Sequence, residues 1–373
     1  MRQRSVYIHI PFCKRRCNYC AFLSSCDFSI EDDYVEALCR EMDVCAADDC
    51  RISTVFIGGG TPSTLSEKNI DKVFASLKRN FVIESGAEIT IEANPESFDM
   101  KKAEAFARNG VNRVSFGLQS VNDKTLTTIG RSHTFGDFTG AVDRALSIGI
   151  TNLNADLIVG LPESKDDFLR SVQKIAQMPL KHVSVYALEL HEGTLLQKAV
   201  ERGDCVLADD DELADRYDRA TELLEANGFA RYEISNFAKE GFECRHNLTY
   251  WRADEYFGLG AGAHGYVRGV RAHNVAEVKS YVKQVLQDGI PKKEDVEEID
   301  ETERMRETVM LGLRLKNGVS TSEFFQKFGV RPSDVFPQIN RLVSGGFLTF
   351  DGNRLVVPED KFYVLNEILV ELL

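Results

Sequence analysis

Three cysteines fall within eight residues, Cys13, Cys17 and Cys20, in the stretch PFCKRRCNYCAF. Thiolates are metal ligands, and structural zinc usually takes four of them or their histidine equivalents from two separated pairs. Here the next cysteine, Cys26, stands alone, and Phe22 occupies the place where a fourth might have been. An iron–sulfur cube held by three thiolates keeps one iron open to another ligand. Lys14, Arg15 and Arg16, between the thiols, would offset the negative charge of thiolates and cluster. Buried free thiols and a zinc site are the competing readings of C-x3-C-x2-C, and the density of the motif directly after a strand-like run favours the cluster.

Other residues with chemistry in them sit at similar places. GGGTPS, residues 58–63, also follows a strand-like run, and glycines there let backbone N–H groups approach a ligand, although a tight turn reads the same way. Glu92, Gln119 and Asp156 are polar residues in or at the ends of apolar runs, which costs free energy unless they are paired or functional. A buried salt bridge accounts for any one of them; together they gather near strand ends. ECRHNLTYW, residues 243–251, holds the single tryptophan with Cys244 and His246. Imidazole and thiolate are metal ligands, against the plainer alternative of a structural histidine and a packing anchor. His264, in the glycine-rich GLGAGAHGY, receives no ligand role.

The elements that must position these residues alternate. Strand patterns are read at 5–10, 53–59, 88–93, 113–118, 153–160 and 182–188, and helical patterns at 30–45, 66–77, 100–107, 138–147 and 166–176. Strict alternation means parallel strands with helical crossovers, and in such folds chemistry collects at the C-terminal strand ends. A further helix is expected at 211–227, then one strand-like piece in FARYEISNFA. The acidic stretch 292–306 reads as a solvated linker leading into a helix. Helices and a hairpin around Asp351 to Asn353 then suggest a winged-helix-like tail. The 373 residues carry a formal charge of −13, which speaks against nucleic-acid binding as the main business. There is no apolar run of eighteen and no signal-peptide pattern, and nine cysteines, an odd number, suit reduced thiols in the cytoplasm.

C-x3-C-x2-C after a first strand resembles the radical S-adenosylmethionine (SAM) superfamily. YIHIPFC, GGGTPS, IEANPE, RVSFGLQS, DLIVGLP and HNLTYW together resemble the HemW heme chaperone family, a relative of the oxygen-independent coproporphyrinogen III oxidase HemN. The resemblance runs from about residue 5 through the tail. It implies an α/β fold: a partial (β/α)6 TIM-like barrel of the radical SAM type with a C-terminal winged-helix-like α+β domain. The expected divisions are 1–207 for the barrel, 208–291 for a middle segment with the HNxxYW element, and 292–373 for the tail. It assigns Cys13, Cys17 and Cys20 to a [4Fe-4S] cluster, and Tyr7, Gly60, Thr61, Glu92, Gln119, Arg131 and Asp156 to SAM. His246, with Cys244 as a second candidate, is implied for heme. The implied partners are heme, a heme-acceptor protein and an electron donor to the cluster, with no nucleic acid. The alternative is the enzyme reading, radical oxidative decarboxylation of coproporphyrinogen III. Phe22 in place of the oxidase's further cysteine, the short lead before Cys13, and HNLTYW all favour the carrier.

Overall fold

The computed structural model describes residues 2–45 and 50–372. Six parallel strands form the first part: β1 Arg2–Ile10, β2 Cys50–Gly59, β3 Val82–Ala93, β4 Arg113–Gln119, β5 Asn152–Val159 and β6 His182–Ala187. The connections carry α1 Glu31–Cys45, α2 Glu67–Asn80, α3 Met100–Asn109, α4 Asp123–Thr128, α5 Phe135–Ser147 and α6 Lys165–Ala176. Side chains alternate across each strand. On β1, Val6, Ile8 and Ile10 are fully buried against the helices, as are Val55 on β2 and Val114 and Phe116 on β4. The opposite face of the same strands carries Glu92, Arg113, Ser115, Asn154, Asp156 and Ser184, and these residues line a lumen. The apolar face drives the fold at roughly 1.5–3 kcal/mol per large side chain; the other face is left for the site.

Helix starts follow local chemistry. Ser66, Asp99 and Ser164 cap α2, α3 and α6 by accepting from backbone N–H groups three residues on. Helix α5 begins a turn earlier than its apolar pattern suggests, because Thr134 and Asp137 form a reciprocal capping box.

The sheet does not stop at six strands. After α7 Leu195–Glu201 and α8 Asp210–Ala226, β7 Ala230–Arg231 and β8 Asn236–Ala238 form a short hairpin whose second strand pairs antiparallel with β6. FARYEISNFA is thus two strands rather than one. Helix α9, Arg245–Trp251, carries HNLTYW; β9 Tyr256–Leu259 then pairs parallel with β1. Strands β10 His264–Val267 and β11 Val270–Asn274 follow, then α10 Val278–Asp288, and β12 Lys293–Glu298 pairs with β11. The resulting order is β12-β11-β10-β9-β1-β2-β3-β4-β5-β6-β8-β7, an open twelve-stranded sheet. The acidic stretch expected as a linker therefore contains an edge strand, held by backbone pairing while most of its side chains stay exposed. Such a charged edge resists pairing with other chains.

The tail comprises α11 Glu301–Gly312, β13 Val319–Ser320, α12 Thr321–Phe328, α13 Pro332–Val335, α14 Gln338–Ser344, β14 Thr349–Phe350, β15 Arg354–Val356 and α15 Leu365–Leu372. It has its own core of Val309, Leu313, Phe324, Leu342, Leu355 and Leu369. Its three strands are ordered β13-β15-β14, the wing of a winged-helix-like unit. It is tied to the middle of the chain by a bridge between Glu233 and Leu315 and by Tyr363 donating to Asp218 at 2.6 Å. Among the described residues no helix is long and apolar enough to cross a membrane.

Candidate functional site

The lumen of the six parallel strands is a cavity of 640 Å³. Its mouth, at the C-terminal strand ends, is lined by Cys13, Cys17 and Cys20, by Arg15 and Arg16, and by Phe22, which is 72% exposed. Among the described residues no three His, Cys, Asp or Glu side chains converge tightly enough for a single metal ion. The three thiols border the same cavity. Burial raises the Cys13 and Cys20 thiols, so their ionisation is left to whatever metal they meet.

Behind the thiols runs a string of hydrogen bonds. Arg131 donates from Nη1 to Cys17 Sγ at 3.5 Å and from Nη2 to Asn94 Oδ1 at 2.7 Å. Asn94 Nδ2 donates to Thr61 Oγ1 at 3.1 Å, and Thr61 Oγ1 lies 3.4 Å from Cys13 Sγ. Arginine is only a donor, so it fixes which end of the Asn94 amide is the oxygen. With its oxygen already accepting from Asn94, Thr61 has its proton free for Cys13. Two sulfurs thus receive donors from one continuous chain of side chains. Burial works against the Arg131 charge, but Tyr19, Cys17 and Glu96 around it hold the guanidinium above its ordinary range.

Glycines make room for this arrangement. A Cβ on Gly60 would lie 2.8 Å from the Phe12 carbonyl oxygen, and one on Gly58 2.9 Å from Glu92. Gly60 and Thr61 donate their N–H groups to the carbonyls of Ile10 and Phe12, which pins GGGTPS against the cysteine loop. At the end of β4 the register slips between Gly117 and Gln119, and Gln119 takes φ +75°. That left-handed backbone is strained for a non-glycine residue; Gln119 borders the cavity.

Deeper in, Glu92 accepts from the Gly59 N–H at 3.0 Å, and burial, reinforced by the nearby Asp156, pushes its carboxyl up to about 8. Asp156 is also raised by burial, against the opposing pull of Ser184, Asn154 and Arg113; Asn154 Nδ2 donates to it at 2.7 Å. Two carboxyls held above their usual range in one chamber are suited to a cationic ligand. Arg113, 2% exposed, lines the floor with its Nε lacking a hydrogen-bond partner.

The structure therefore brings Cys13, Cys17, Cys20, Gly60, Thr61, Glu92, Gln119, Arg131 and Asp156 to one cavity. Tyr7 lies one ring behind it: Tyr7 stacks on Phe56, which does line the cavity, and its hydroxyl meets His9 Nδ1 at 3.0 Å. Asn94 and Arg113 escaped the sequence reading. The Asn-Pro pair in IEANPE was the only cue to the first, and a charged residue opening an apolar strand the only cue to the second.

Cys244 and His246 do not line the lumen, although their neighbour Asn247 of α9 does. His246 is fully buried. Thr54 donates to Ser5 at 2.8 Å, so His246 Nδ1 donates to Thr54 at 2.7 Å and Nε2 accepts from Tyr250 at 2.9 Å. Burial, with Arg113 adding to it, lowers the imidazole to about 3, and it is neutral. The Cys244 thiol is pushed by burial up to about 12 and donates to Glu88 at 3.6 Å. In this arrangement neither presents a free lone pair to an iron; ligation through His246 Nε2 requires Tyr250 to move aside.

A radical SAM superfamily model matches residues 7–175, and a HemN C-terminal domain model matches residues 299–360. Heme chaperone HemW of Bacillus subtilis is 38% identical over 344 residues, 90% of each chain. The Heme chaperone HemW proteins of Lactococcus lactis and Escherichia coli are 34% and 33% identical, spanning 100% and 98% of this chain and 98% and 97% of theirs. Among solved structures, coproporphyrinogen III oxidase (HemN) from Escherichia coli, a radical SAM enzyme, superposes with a TM-score of 0.86. It covers all of this chain and 90% of that one at 22% identity, a likeness of fold.

Proposed function

The chain belongs to the HemW heme chaperone family of radical SAM proteins, and on that premise we propose that it binds a [4Fe-4S] cluster, SAM and heme and delivers heme to an acceptor protein. The observation that carries this is full-length identity of 33–38% to proteins named heme chaperones, joined to a lumen whose mouth is lined by Cys13, Cys17 and Cys20.

The residues present fit the two resident groups. Cys13, Cys17 and Cys20 would hold the cluster, with Arg131 and Thr61 donating toward their sulfurs. Glu92 and Asp156 would face the cationic parts of SAM, and Gly60, Gln119 and Arg131 border the same space. What these groups supply when bound is one-electron chemistry at SAM. The chain's own contribution is positional: the Asn94 string orients donors and the glycines allow close approach. An electron donor and a heme acceptor are the protein partners this reading requires. A cytoplasmic location suits a chain with an odd number of cysteines, nine.

Three measurements test the reading. Anaerobic reconstitution gives an iron–sulfur chromophore that the Cys17→Ala variant loses. Hemin titration of the wild type gives a Soret shift. Incubation without oxygen with coproporphyrinogen III, SAM and a reductant gives no protoporphyrinogen; its formation would replace the carrier by the oxidase reading, which the HemN-like fold also accommodates.

A further inference from the structure

A histidine ligates iron only through a ring nitrogen that no other group has claimed, so the partners of the seven imidazoles decide which are available. His9 lies between the Tyr7 hydroxyl and the Leu23 carbonyl, His182 between Asn154 and Tyr232, and His246 between Thr54 and Tyr250. His273 lies between the Asn274 carbonyl and Asp295, and His133 between the Leu118 carbonyl and Glu96. His264 packs on the His273 ring at 4.7 Å and is no part of the lumen lining. Of the seven, only His191 borders the lumen. Cavities differ in the same way. Asn247 of α9 borders the lumen, whereas Arg245, Leu248, Thr249 and Arg252 of that helix border a second chamber, of 870 Å³. The lining of the second chamber has no histidine, cysteine or methionine to meet an iron.

His191 stands in the connection from β6 to α7, its side chain about half exposed. Thr194, which caps α7, donates from both its N–H and its hydroxyl to the His191 carbonyl and so fixes the turn. The His191 Nε2 lies 3.5 Å from a carboxylate oxygen of Glu189, and its Nδ1 has no partner among the described residues. An imidazole that ligates a metal commonly turns its other N–H to a carboxylate, which sets the tautomer and makes the ligating nitrogen more basic. Here Glu189 draws the proton to Nε2 and leaves the lone pair on Nδ1.

The surroundings are apolar and open. Phe22, Tyr186, Leu190 and Leu195 are large apolar side chains left exposed. Phe22 and Tyr186 border the cavity, and Leu190 is the chain neighbour of His191. Leu195 opens α7, where the next N–H, that of Leu196, donates to the Asn18 carbonyl of the cysteine loop at 2.8 Å. Exposed apolar side chains gathered at a rim mark a binding surface, and flat rings suit a flat ligand.

We propose that heme seats across the mouth of the lumen, with His191 Nδ1 as its axial ligand and its macrocycle against Phe22 and Leu195. The inference rests on the heme-carrying reading above. It leaves the carboxyl-lined floor to SAM and sets the cargo outside it. The HNLTYW helix then braces β1 and β2, through His246 on Thr54 and Thr249 on Ser5, instead of gripping the iron.

The test uses the full chain, anaerobically reconstituted, with hemin binding followed at the Soret band. His191→Ala weakens hemin binding by about tenfold or more and moves the Soret maximum of the bound form, and added imidazole restores the wild-type band. His264→Ala, at an exposed histidine outside the lumen, binds as the wild type does with its band unmoved. Phe22→Ser/Leu195→Ser keeps the band in place and weakens hemin by about tenfold. Cluster absorbance is unchanged in all three, which separates a lost ligand from a lost fold. An unmoved band with unaltered affinity in His191→Ala, a moved band that imidazole does not restore, or wild-type affinity in Phe22→Ser/Leu195→Ser overturns this site alone. Absence of any Soret shift with the wild type overturns heme carriage itself, and the site with it.

Discussion

Replacement of Glu92 by glutamine separates ligand binding from folding in opposite directions. In the ligand-free lumen the Glu92 carboxyl sits at about 8, raised first by burial and then by Asp156. A group with that value is about 90% protonated at pH 7. A cationic ligand against it favours the carboxylate, so binding SAM at pH 7 expels close to one proton, and at pH 9 only about a tenth of one. Calorimetric titration of the reconstituted protein in phosphate and in Tris at equal pH reads this number from the dependence of the heat on buffer ionisation. The raised value also bears on stability. Its contribution is fully present below the unfolded carboxyl's value, near 4.5, and is lost as pH rises toward 8. At pH 7 the accumulated loss is roughly 3 kcal/mol. Glu92→Gln therefore melts higher than the wild type in the ligand-free form at pH 7, and the difference shrinks toward pH 5. The same variant binds SAM more weakly, by about tenfold or more, and releases no proton. Equal heats in the two buffers at pH 7 with wild-type protein, or proton release that survives in Glu92→Gln, would refute the reasoning.

Asn94→Ala breaks the string between Arg131 and Thr61; it retains the cluster but lowers its midpoint potential by on the order of tens of millivolts, and an unchanged potential in a redox titration would deny the string any influence on the sulfurs. His246→Ala strands the Thr54 and Tyr250 hydroxyls and costs about 2–4 kcal/mol in denaturant unfolding, while the iron–sulfur chromophore persists. A Cβ at position 258 would lie 1.8 Å from the His264 carbonyl oxygen, so Gly258→Ala destabilises the β9–β10 pairing by about 3 kcal/mol or more; a melting temperature equal to wild type would contradict that close approach.

The parallel strands and most of the lumen were legible because two signals coincide there. Apolar runs identify β1 to β6, and a polar residue interrupting such a run must face a ligand or a partner; Glu92, Gln119 and Asp156 all border the cavity. The edge strand Lys293–Glu298 was illegible for the converse reason. It is held by backbone pairing with β11, and KEDVEE has no apolar face to betray it. The early start of α5 depends on a cap rather than on hydrophobic spacing. For His246, residue type suggested a ligand, while burial and two hydroxyl partners are tertiary facts that no local pattern carries. His191 was hidden most completely: LELHEGT carries no motif, and its place beside the cavity depends on how the connection from β6 to α7 folds.

Helix α9 is only seven residues long, yet each of the two chambers rests on one of its faces. Hydrogen bonds join Thr249 to Ser5, Ser5 to Thr54 and Thr54 to His246, so a shift on one side of the helix is felt on the other. Thermodynamic reciprocity then applies: whatever factor an occupant of one chamber imposes on affinity in the other is returned unchanged. A partition this thin makes the protein an accountant of its own load, because the energy of filling one room is entered against the other.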